Sequence, residues 1–213
     1  MDSQQGGLGM AIIGFSREDF EVFGIPTFPE RMQGIKERVR PKLTVLGESL
    51  QPALKKLAKN DVFPHVAKHA RRTVNPPPET WVAFGPSARG YKKYGYFGLA
   101  LSRGGLHTRI VVKDEAPDRP QMAKLLIERA DVFAKIFAKH TVARYDRWNY
   151  AGIPELNRPT ADFWQEVAEA LAKKTGGLDV GLGWSVNRAL KLTDRKILEA
   201  FASLLPLYEI TRA

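Results

Sequence analysis

Cysteine is absent from the chain, which removes disulfides, thiolate nucleophiles and cysteine-ligated zinc from consideration. Long apolar runs are missing too. None approaches the ~20 residues that a membrane-spanning helix requires, so no membrane partner is expected. The opening MDSQQGGLGMAIIGF lacks a cationic start and carries only a short apolar patch, and it does not read as a signal peptide. A flexible N-terminus over 1–14, a single domain over 15–213 and a cytoplasmic location are the resulting expectations. Nucleotide-binding signatures are equally scarce: Gly7-Leu-Gly9 follows no strand, and Gly181-Leu-Gly183 lacks the later glycine and helix of a dinucleotide fingerprint. With no Walker A pattern and no GxSxG elbow, no cofactor is implied.

What the chain has is enough material for one core and a strongly skewed charge. It runs to 213 residues with 44% hydrophobic and 26% charged side chains, an ordinary balance for a globular domain. The net charge is +10, yet residues 36–113 alone hold 16 Lys or Arg against 4 acids. The first 35 residues come to −3 and the last hundred to +1. A block of this kind is an electrostatic footprint for phosphates, nucleic acid or an acidic partner, with solubility as the bland alternative.

Periodicity predicts the elements. Ser16 caps a short helix reaching Gly24. Met32, Ile35, Val39, Leu43 and Leu46 form a helical stripe that Pro41 should kink or divide, and Leu50, Leu54 and Leu57 continue it in a further helix. Thr80–Phe84 reads as a strand. Residues 96–102 and 106–112 make a hairpin across Arg103-Gly104-Gly105. A helix is predicted from Arg119 or Pro120 to about Lys139, burying Leu125, Leu126, Ala130, Phe133 and Phe137. Thr141–Tyr145 suits a strand, Thr160 opens a helix that Gly176-Gly177 ends, 178–185 is extended, and Thr193 caps a helix to Leu204. Leu205–Thr211 is expected to close the sheet as a final strand. This order predicts a single-domain α+β fold, its central sheet mainly antiparallel or mixed with helices packed on it.

The functional groups concentrate between residues 65 and 97. His65, Lys68, His69, Arg71, Arg72, Arg89, Lys92 and Lys93 lie there around the triple proline that follows Asn75, with Glu79 as the sole acid. Arginine forks suit phosphate or carboxylate, and the prolines would stiffen the backbone that carries them. On a helix, His65 and His69 would share one face about 6 Å apart and could chelate a metal with Asp61; on a strand they would stand about 13 Å apart and could not. The segment 62–73 supports either form. With no further ligand cluster, no metal is expected. Tyr91, Tyr94, Tyr96 and Phe97, interleaved with cations, could stack on bases, although Tyr96 and Phe97 begin the predicted strand and suit its half-buried core better.

The stretches Phe63-Pro-His-Val-Ala-Lys-His-Ala-Arg-Arg-Thr-Val-Asn-Pro-Pro, Thr80-Trp-Val-Ala-Phe and Arg89-Gly-Tyr-Lys-Lys resemble the YktB-like family of bacterial proteins of unknown function. The resemblance is strongest over residues 15–115. It implies a single-domain α/β protein of Firmicutes-type bacteria and carries no catalytic residues. From the residues themselves, the leading expectation is a basic face that binds a phosphate-bearing partner, either nucleic acid or a phosphorylated small molecule. Two alternatives stay open: an enzyme using His65 or His69 as general acid/base with Arg71 and Arg72 stabilising negative charge, and a protein-interaction module.

Overall fold

The computed structural model describes residues 14–145 and 155–212; apart from Gly14, the N-terminal stretch expected to be flexible lies outside them. Ser16 opens helix α1 (Arg17–Glu21) through a capping box with Asp19, and a 3₁₀ turn over Val22–Gly24 follows. Helix α2 (Phe28–Gly34) runs through a π turn, Ile35–Val39, into α3 (Arg40–Ala58). The stripe read from the sequence is the buried face: Met32, Ile35, Val39, Leu43, Leu46, Leu50 and Leu54 are all buried. Pro41 is accommodated by the wider π turn just before it. The expected further helix carrying Leu50 is instead the same α3, which continues through Pro52. A proline frees the carbonyl four residues back, and for Pro52 that residue is Glu48, which is exposed and open to water.

Seven strands, among the described residues, form one sheet: β1 (Phe63–Val66), β2 (Glu79–Gly85), β3 (Tyr96–Ser102), β4 (Gly105–Val112), β5 (Val142–Arg144), β6 (Glu155–Asn157) and β7 (Leu178–Ser185). Their spatial order is β1-β2-β3-β4-β7-β5-β6, and every pairing is antiparallel. The predicted hairpin is β3–β4, closed by the pair Ser102↔Gly105. Gly105 has φ 141°, a conformation that glycine adopts without strain.

The long predicted helix after residue 119 is two helices, α4 (Arg119–Glu128) and α5 (Ala130–Ile136), divided at Arg129. Its buried face is otherwise as expected: Leu126, Ala130, Phe133 and Phe137 are buried, and Leu125 is half-buried. Both phenylalanines pack on Trp164 of α6 (Ala161–Ala172), at 5.4 and 5.3 Å between ring centroids. Thr160 caps α6, accepting from the Phe163 N–H, as its sequence suggested. Arg119 closes the other end of α6. Its guanidinium donates to the carbonyls of Ala116, Leu171, Lys173, Lys174 and Gly176.

A short helix, α7 (Val186–Ala189), leads to α8 (Asp194–Ile210), which overturns the expected strand at 205–211. Pro206 lies inside this helix. Leu204, Leu207 and Tyr208 nevertheless continue the helical spacing and are fully buried, with Tyr208 stacked on Phe97 at 4.1 Å. The carbonyl that Pro206 frees belongs to Ala202, on the exposed side. The helices send their apolar residues to one face of the sheet, where Val82, Phe84, Phe97, Leu99, Leu101, Ile110 and Val180 meet them. The second face carries a smaller cluster of Ala83, Tyr96 and Val111, with Trp81 and Tyr91 against it.

Candidate anion-binding groove

Residues 63–66 form an edge strand, not a helix, so His65 and His69 do not share a helical face. His65 faces Ala83 in register and lies on the Tyr91 ring at 5.4 Å. Its Nε2 donates to the Ser87 carbonyl at 2.9 Å. Beyond the strand the backbone turns sharply at His69, which holds φ 52°, the left-handed region that a non-glycine residue occupies only when its surroundings impose it. Here the imposing contacts come from Arg40 of α3, whose guanidinium donates to the carbonyls of Ala67 and Lys68. The Arg72 N–H then closes a turn onto the His69 carbonyl at 3.0 Å. The imidazole of His69 packs edge-on against Trp81 at 5.3 Å and meets Thr80 Oγ1 at 3.1 Å.

This chain path gathers the residues singled out from the sequence into two adjoining clefts. The larger, about 640 Å³, is lined by His65, Lys68, Ser87, Arg89, Tyr91, Lys92, Lys93 and Tyr94 among others. The smaller, about 310 Å³, is lined by Lys68, His69, Arg71, Arg72, Trp81, Tyr91 and Lys92. Lys68, Tyr91 and Lys92 belong to both, so the two read as one groove. All eight predicted residues contribute to it, and among the described residues neither lining includes a carboxylate. Among the described residues, Lys92 is the only one of the six cations in an ion pair, 3.2 Å from Glu115.

The histidines do not add charge evenly: burial, reinforced by Arg40 and Arg72, lowers His69 to about 4, so it is neutral at pH 7. Tyr96 and Phe97 cannot stack on a ligand, since both are buried in the sheet. Tyr91 and Tyr94 do line the groove.

Sequence reasoning missed a second group on the same face. Arg109, 2% exposed, donates from Nη2 to Glu79 Oε2 at 2.8 Å and lies 3.3 Å from the Asp179 carboxylate through Nη1. Its guanidinium sits over the Tyr145 ring at 4.6 Å. Burial works against its charge, but Asp179 and Glu79 more than compensate and hold its proton beyond the ordinary range. Burial also pushes the Glu79 carboxyl upward, opposed by Arg109 and reinforced by Asp179. Next to it, His107 Nε2 meets Ser102 Oγ at 2.9 Å, and burial lowers its imidazole to about 3. A signal for this group was available in the glycines. Arg109 pairs with Gly98 on one side and Gly181 on the other, and His107 pairs with Gly183. A Cβ at Gly183 would come within 2.8 Å of His107 Nδ1, so Gly181-Leu-Gly183 leaves room for buried polar side chains and is no nucleotide loop.

Another cleft, about 690 Å³, lies elsewhere, beside α5 and the start of α6; Lys135, Lys139, His140 and Arg158 line it together with the carboxylate of Asp131. Among the described residues, no helix is long and apolar enough to cross a membrane.

Fold and groove together define a single-domain α+β protein whose antiparallel sheet is packed by helices on one face and bears polar clusters on the other. The chain belongs to the family described as "Domain of unknown function (DUF1054)", matched over residues 15–208. A UPF0637 protein of Bacillus velezensis is 35% identical, covering 93% of this chain and 96% of the relative. UPF0637 proteins of Oceanobacillus iheyensis and Lysinibacillus sphaericus are 31% and 34% identical, covering 92% and 94% of this chain and 96% and 97% of the relatives. The YktB-like resemblance read from residues 63–77 is thereby borne out.

Proposed function

We propose that the protein binds a phosphate-bearing ligand in the groove formed by His65, Lys68, His69, Arg71, Arg72, Arg89, Lys92 and Lys93. The observation that carries this reading is convergence: six cations from a strand end, a turn and a loop line adjoining clefts free of carboxylates. A solubilising charge has no need to be gathered into a concavity. Arginine forks at 71 and 72 fit phosphate oxygens, and the lysines supply point charges around them.

At His69, binding is favoured over acid/base catalysis. With a pKa of about 4, roughly one molecule in a thousand carries the proton at pH 7, and so weak a base accepts protons poorly there. His69 serves better as a neutral hydrogen-bonding group beside Arg72.

The test is titration of labelled oligonucleotides at several salt concentrations, beside a thermal-shift panel of phosphorylated metabolites. Affinity should fall linearly on a log–log salt plot if the ligand is a polyanion. Arg71→Ala with Arg72→Ala should flatten that slope by up to about two, while Lys135→Ala with Lys139→Ala at the other cationic cleft should leave it unchanged. No oligonucleotide binding at low salt, together with no stabilisation by any phosphorylated compound, would sink the proposal.

A further inference from the structure

The larger cleft holds a feature that phosphate binding alone does not use. Tyr94 is 44% exposed and lines that cleft beside Lys93 and Arg89. Tyr91 differs from it: His65 lies on its ring, Tyr96 meets it edge-on at 4.8 Å, and Trp81 Nε1 donates to its hydroxyl at 3.1 Å. Among the described residues no ring packs on Tyr94. Its backbone is held nonetheless, because the Tyr94 N–H donates to the Tyr91 carbonyl at 3.1 Å. The following Gly95 sits so close to Thr211 at the end of α8 that an added Cβ would collide with that side chain. The loop is therefore seated on the domain while the aromatic ring remains available.

Resting on the phosphate-binding reading above, we infer that the ligand is a nucleotide unit, with its base stacked on Tyr94 and its phosphate among the cations of the groove. A cleft of about 640 Å³ is within the ~300–1,000 Å³ range of small-molecule sites and far larger than a phosphate group needs. An aromatic face with flanking cations is the arrangement that takes bases without reading their sequence. The smaller adjoining cleft, with Arg71 and Arg72, is placed to take a second phosphate. The unit could be supplied as a free nucleotide or within a single strand, and the chemistry of recognition is the same.

Calorimetric titration with inorganic phosphate, pyrophosphate, ribose 5-phosphate, the four nucleoside monophosphates and short single strands with and without bases tests this. Base-bearing ligands should bind ~10-fold or more tightly than their base-free counterparts, the gain expected of one stacked base. Tyr94→Ala should abolish that difference and leave binding of ribose 5-phosphate intact, whereas Tyr94→Phe should preserve it. A free nucleotide binding more tightly per unit than a strand identifies the former as the source; the reverse identifies the latter. Equal affinity for base-bearing and base-free ligands overturns the nucleotide inference but leaves phosphate binding standing. Binding of none of them overturns both.

Discussion

At Arg109 a guanidinium is enclosed within the fold and meets two carboxylates, Glu79 and Asp179; across Trp81, on the same face of the sheet, Lys68, Arg71, Arg89 and Lys93 meet none among the described residues. Trp81 is the boundary. His69 of the groove packs on its ring at 5.3 Å, and Lys113, which also approaches Asp179, lies 5.9 Å from the same ring. The first group has to be neutralised internally because a buried charge without a partner is very costly. The second is exposed, so water satisfies it. Charge that stabilises a fold and charge left to solvent can thus sit one side chain apart, told apart by burial and pairing.

The contrast breaks most severely when the enclosed cation is removed. Arg109→Met should cost about 3–5 kcal/mol, because it leaves two largely buried carboxylates without their cation, and urea denaturation would show it. Adding Glu79→Gln should restore part of that loss. If Arg109→Met unfolds at the wild-type midpoint, the network is not structural.

Acid should act next. His69 and His107 have folded pKa values of about 4 and about 3 against an ordinary 6.5, so below pH 6.5 the unfolded chain binds protons that the folded chain refuses. Stability is complete above pH 6.5 and falls as the pH drops, through about 4 for His69 and about 3 for His107. A single group contributes at most about 1.4 kcal/mol per pH unit. His107→Gln should flatten the lower part of this decline in chemical denaturation curves.

Arg71→Ala with Arg72→Ala should sharpen the comparison from the other side. Both residues are exposed, so each change should alter unfolding free energy by no more than about 0.5 kcal/mol, even as phosphate binding weakens. A large loss of stability would place these arginines with the structural group. The smallest effect belongs to Glu115→Gln, which removes the carboxylate paired with Lys92 of the groove. Stability should shift by less than about 0.5 kcal/mol, and titration should show phosphate binding slightly tighter.

Much of this architecture is legible where local chemistry and tertiary packing agree. The β3–β4 hairpin shows through its β-forming flanks and glycines, the stripe from Met32 to Leu54 through its spacing, and the caps at Ser16, Thr160 and Thr193 through their residue types. At Pro41 the expected interruption takes the form of the π turn just before α3, whereas the strand expected over 205–211 fails because a helix tolerates Pro206, whose freed carbonyl faces water and whose neighbours are buried. The division at Arg129 carries no glycine or proline to mark it. In the groove, the density of cations around residues 65–93 was readable, but the turn at His69 was not, because Arg40, 27 residues before the Ala67 carbonyl it binds, holds the chain there. Arg109 and its partners were missed because charged residues in an alternating strand look like a solvated face. Only the glycines opposite them in register show that room had been left on the inside.

Among the described residues, Arg119 grips five carbonyls and no side chain. A group that reads only main-chain oxygens is indifferent to which residues supply them. Lys173 and Lys174 should therefore accept wide substitution with little effect, provided that the loop keeps its length and path. Arg119 itself has no such latitude: lysine cannot match its planar fork, and one deletion in the loop would pull several acceptors out of reach together. Mutational tolerance around the end of α6 should be lopsided, permissive in the identity of the loop's lysines and strict at the single residue that holds it.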